Sequence, residues 1–150
     1  MELTLDETLH KAVESHKAGQ VQEADRLYKT ILEVQPKHPD ANHNMGVLAA
    51  SLGKVQEALP FFEIALDANS SIGQFWLSYI NALIKLDRMT DAKVVLVEAK
   101  GKGANGEAFE QLEQRLNKLN EKQVKADPHI DGQNQVRPNI LDSLKLEQAL

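Results

Sequence analysis

A step of 34 residues recurs along this chain and constrains its fold more than any other feature. Gly19-Gln20-Val21-Gln22-Glu23-Ala24 aligns without gaps on Gly53-Lys54-Val55-Gln56-Glu57-Ala58, and more loosely on Asp87-Arg88-Met89-Thr90-Asp91-Ala92. The same step relates Tyr28 to Phe62 and Leu96, Ile31 to Ala65 and Ala99, Leu32 to Leu66, Val13 to Val47, and Ala12 to Gly46. A period of this length marks a supersecondary unit that cannot bury its apolar face alone and must stack on copies of itself.

Each unit reads as two helices. In the second unit Met45, Leu48, Ala49 and Leu52 form one helical stripe, and Ala58, Leu59, Phe62, Ala65 and Leu66 form another. Gly53 stands between them, where a helix end wants a residue of positive φ. Pro60 is placed near the start of the second helix, where a missing N–H costs little. Pro36 and Pro39 close the first unit, because the residue before a proline is pushed out of the α region. Ala12 or Gly46 on the first helix faces Ala24 or Ala58 on the second, so the backbones can approach closely, with Tyr28 or Phe62 beside them.

This pattern resembles the tetratricopeptide repeat (TPR), and of the bacterial type. The resemblance implies an all-α fold: a right-handed α-solenoid of antiparallel helix pairs (a TPR superhelix). The TPR domain is expected over residues 5–125, with repeats at 5–38, 39–72 and 73–106 and a capping helix at 107–125. The family's paired large and small residues fall at Lys11-Ala12, Met45-Gly46 and Tyr79-Ile80. Its alanine falls at Ala24, Ala58 and Ala92, its large apolar residue at Tyr28, Phe62 and Leu96, and its proline at Pro36 only. Its tryptophan appears as Trp76 alone. Lys11 departs from the pattern in the way an open N-terminal end would. Ile80 replaces a small residue, which predicts a splayed or shifted third helix pair.

Phe109, Leu112, Leu116 and Leu119 make a single apolar seam on the capping helix, as suits the end of a repeat stack. Residues 126–139 read as a linker, and 140–150 turn apolar again as the expected start of a further, truncated helix of a longer parent.

Composition excludes several functions. The net charge is −5 and aromatics are 5% of the chain, which argues against a nucleic-acid partner. Cysteine is absent, removing thiolate metal sites and cysteine nucleophiles. No apolar run is long enough for a membrane span, so a cytoplasmic protein with no membrane partner is expected. Gly101-Lys102-Gly103-Ala104-Asn105-Gly106 spells a G-x-G-x-x-G, but Ala92, Leu96 and Ala99 keep helical register before it. The glycines are expected to end one helix and begin the next. His10, His16, His38, His43 and His129 lack metal-site spacing; they read as surface residues, with His38 and His43 straddling a turn. Glu57 and Glu63 read as solvated. No metal, cofactor or enzymatic activity is expected.

In TPR proteins the first helices of successive units line a concave groove. Carried across, the groove positions are Leu9, Val13 and His16; then His43, Asn44, Val47 and Ser51; then Gln74, Leu77, Ser78, Asn81 and Lys85. Chaperone-binding members clamp carboxylates with Lys, Asn and Arg. The matching places here hold Leu9, Val13, Asn44, Gln74 and Ser78, so only Asn44 fits and an acidic chaperone tail is not expected. The resemblance implies a scaffold or interaction module that binds a peptide, helix or protein in this groove. The alternatives are a docking arm of a larger bacterial glycosyltransferase, methyltransferase or sulfotransferase, and a scaffold self-assembling as a homo-oligomer through the C-terminal tail or the solenoid ends.

Overall fold

The computed structural model describes residues 2–126. Among them are seven helices and no strand: α1 (Leu5–Lys17), α2 (Val21–Val34), α3 (Pro39–Ser51), α4 (Val55–Ala68), α5 (Gly73–Lys85), α6 (Met89–Gly101) and α7 (Glu107–Ala126). Of the linker expected at 126–139, Ala126 belongs instead to α7, while residues 127–139 and the helix expected at 140–150 lie outside the described residues.

Local chemistry sets the helix ends. Thr4 and Glu7 form a reciprocal capping box: the Glu7 N–H donates to Thr4 Oγ1 at 3.1 Å, and the Thr4 N–H to Glu7 Oε2 at 2.9 Å. Pro39 is the first residue of α3, where its missing N–H would be unpaired anyway. His38 caps that helix, its Nδ1 accepting from the Ala41 N–H at 3.1 Å. The turns after α1, α3 and α5 share one design. Gly19, Gly53 and Asp87 all have positive φ, at 77°, 81° and 59°. Each donates to the carbonyl three residues back, and the residue after it donates five back, which pairs the last carbonyls of the helix. A fourth copy sits at Gly103, φ 96°. Gly101 ends α6 and Gly106 precedes α7, so the glycine-rich run joins two helices and follows no strand.

One expectation needs correction. Pro60 lies six residues into α4, beyond the first turn. Its missing N–H therefore removes a bond that the Gln56 carbonyl would otherwise accept.

The helices divide into two compact units, the first ending at Asn69 and the second beginning at Ser70. In unit one α1 packs on α2, α2 on α3 and α3 on α4, while α1 also touches α3. Ala12, Ala24, Leu27, Tyr28, Met45 and Leu48 are buried together, with Leu9, Val21, Leu32 and Phe61 packed against them. In unit two α5 packs on α6 and α6 on α7. The Trp76 indole N–H donates to the Ser70 carbonyl at 2.8 Å. Phe109, Leu112 and Leu116 are the buried seam of α7. Ile80 is fully buried.

Candidate interaction surfaces

Unit one carries seven of the expected groove residues, on α1 and α3. Leu9, Val13, His16, Asn44 and Val47 are half-buried and Ser51 is exposed. Leu9 leans on the core. His16 Nδ1 lies 3.3 Å from the Tyr28 hydroxyl, with the two rings edge to face. Burial pushes the Tyr28 phenol up to about 12. Ser51 turns back on its own helix, its hydroxyl donating to the Leu48 carbonyl at 2.7 Å.

His43 overturns the surface reading. It is a buried residue within α3, not across a turn from His38, and its ring lies 5.7 Å from that of Phe62. Burial pulls its imidazole below the usual histidine range, against the opposing effects of Asn44 and Asp40. A neutral ring is therefore favoured. Its Nδ1 lies 3.3 Å from Asn44 Oδ1, so the Asn44 amide has a neighbour of its own to hold. Glu63 was likewise expected in solvent and is instead buried on α4, a helix whose apolar residues occupy most of its circumference. Asn42 is a polar core residue that sequence reading passes over. Its amide donates to the carbonyls of Pro36 and His38, at 3.0 and 2.8 Å, and so fixes the loop before α3.

Unit two brings its groove residues together with a second helix. Gln74, Leu77 and Asn81 on α5 face Ala108, Gln111, Leu112 and Arg115 on α7 across an open cleft of about 310 Å³. Gln111, Arg115 and Leu119 continue as an adjoining depression along α7. Ser78 and Lys85 do not line this cleft; Ser78 Oγ instead accepts from Gln74 Nε2 at 3.4 Å. The α7 contribution is missed in the sequence, where that helix reads as a polar-faced cap. The signal available was Gln111 and Arg115, four residues apart beside the apolar seam.

A further cavity in unit one, about 220 Å³, lies among α2, α3 and α4. Met45, Leu48, Leu52 and Phe61 form its apolar lining, Asp25, Lys29, Lys54 and Glu57 its charged lining, and no expected groove residue reaches it. None of the described helices is long and apolar enough to cross a membrane.

The tetratricopeptide repeat family model matches residues 17–71 and 44–93, together more than half of the chain. Among curated proteins there is no sequence match. Solved structures of similar fold include the TPR domain of Sgt2 from Aspergillus fumigatus, with TM-score 0.71 and 17% identity over 90% of this chain and 91% of that one. The TPR2B domain of yeast Sti1, solved as a complex with pHsp70, gives 0.68 and 18% identity over 79% of this chain and 97% of its own. The Yersinia enterocolitica type III secretion chaperone SycD, solved with a peptide of the translocator YopD, gives 0.65 and 14% identity over 99% and 97%.

Proposed function

The chain belongs to the tetratricopeptide repeat family, and from that premise we propose that it is a protein-interaction module whose first-helix faces bind a peptide or helix. The α5–α7 cleft carries the reading. It combines apolar Leu77 and Leu112, the amides Gln74, Asn81 and Gln111, and the single cation Arg115. Apolar floor gives affinity, and amides that can pair with a ligand backbone give orientation. In unit one Val13, Asn44 and Val47 lie half-buried on the first helices.

Peptide binding by structural neighbours supports this reading. SycD was solved with a peptide of YopD, and Sti1 TPR2B with pHsp70. The ligand class differs from that of a carboxylate clamp, because Leu9, Val13, Gln74 and Ser78 supply no positive charge at the matching places. A segment with apolar side chains and modest negative charge fits Leu77, Leu112 and Arg115 better than a doubly acidic tail does.

The test is selection of binders from a displayed peptide library on the intact chain. Selected peptides should lose at least about tenfold in affinity, ~1.4 kcal/mol, on Leu77→Asp or on Gln74→Ala with Asn81→Ala. Val97→Asp is the control, since Val97 is 70% exposed on α6. Binders that ignore Leu77 and depend on Val97 would place the site on the second helices and defeat the proposal.

A further inference from the structure

The helix that forms one wall of the unit-two cleft is also the helix that leads into the rest of the chain. α7 presents distinct sides. Phe109, Leu112 and Leu116 are buried, and Glu113 meets α6, where it accepts from Lys100 at 2.6 Å. The side toward the cleft carries Gln111, Arg115, Lys118 and Leu119. Glu107 is held by Gln111 at 3.1 Å, a contact along the same helix. Two depressions that share Gln111 and Arg115 thus run from Leu77 to Leu119, apolar at both ends and cationic at Arg115 and Lys118.

The chain contains a segment of matching chemistry. Residues 140–150 hold six apolar residues, two acidic residues (Asp142 and Glu147) and one basic residue, Lys145. We propose that residues 140–150 of the same chain occupy the α5–α7 cleft, with Asp142 and Glu147 toward Arg115 and Lys118, as a ligand held in cis. The proposal rests on the reading of this cleft as the ligand site and names its resident occupant.

The length of the connection favours this assignment. From Ala126 back to Arg115 is about 16 Å along a helix rising 1.5 Å per residue. Thirteen residues, 127–139, can reach at most roughly 45 Å, which exceeds the distance to be bridged. Effective concentration is greatest when the chain's mean span matches the distance to be bridged, and for short connections it is about millimolar. A cis affinity of only ~100 μM would then fill the cleft and lower the affinity for an external ligand about tenfold.

The chain has no cysteine, so Ser143→Cys supplies a unique thiol for a nitroxide spin label. In the full chain, the proposal expects strong broadening of the Asn81, Gln111 and Arg115 amide signals, abolished by adding Leu144→Asp. Broadening that avoids the cleft overturns it. So does broadening that appears only on unlabelled molecules mixed with labelled ones, which means a second copy is the occupant. Peptides selected on the intact chain should bind the Leu144→Asp chain about tenfold more tightly. If they bind both chains equally, the tail does not compete and the cis proposal falls while the cleft stands. If no peptide perturbs α5 or α7 in either chain, the reading of the cleft falls with it.

Discussion

The aromatic ring of Phe62 lies where a side chain on residue 46 would have to go. A Cβ built on Gly46 would sit 2.5 Å from Phe62 Cε1 and 2.7 Å from Cδ1, nearer than carbon atoms tolerate. The absence of a side chain at residue 46 is what leaves room for the Phe62 ring between α3 and α4. Ala12 holds the same place in the α1–α2 pair and Ile80 in α5–α6.

Gly46→Ala is therefore expected to destabilise the protein by about 1–3 kcal/mol, as overpacking does when the neighbour is itself buried. Phe62 is 2% exposed and has little room to withdraw. Combining it with Phe62→Leu should cost less than the sum of the single changes, because the two sites share one space. Chemical denaturation measures both; an unchanged midpoint for Gly46→Ala is incompatible with this packing.

The repeat turns offer a second test. Gly53→Ala should cost about 1 kcal/mol, since a Cβ at φ 81° is strained although nothing crowds it. Asp87 already bears that strain at φ 59°, so Asp87→Gly should stabilise by about 0.5 kcal/mol. Thermal melts of the two variants should move in opposite directions.

Pro60→Ala should stabilise α4 by about 1–2 kcal/mol, because it restores an interior helix bond at an exposed position. Loss of stability instead would mean that the proline ring packs on something in the native state.

His43 makes stability depend on pH. Its folded-state pKa is lowered from 6.5 by burial, so the unfolded chain binds the proton more readily. The stabilisation is present above about pH 6.5 and is lost as pH falls below that value through the folded-state pKa. His43→Phe keeps a ring against Phe62 and should flatten the stability profile below about pH 6.5. An acid limb of unchanged slope would assign the effect to other groups.

What this sequence determines by itself is whatever repeats or acts within a few residues. The 34-residue step, the helix pairs, the positive-φ turns at Gly19 and Gly53, and the small residues at Ala12 and Gly46 all follow from local turn chemistry and from side-chain periodicity along one helix. Tertiary structure alone decided which side of a helix has neighbours. His43 and Glu63 are polar residues on helices with solvated positions of their own, and only the packing around α3 and α4 shows that both are buried. The cleft followed the same rule. Gln74, Leu77 and Asn81 are legible as one face of α5, but Gln111 and Arg115 join them through the placement of α7, a contact across some thirty residues of chain that no pattern within either helix encodes. Periodicity reports the angle of a residue about its own helix axis, and burial depends on what stands at that angle.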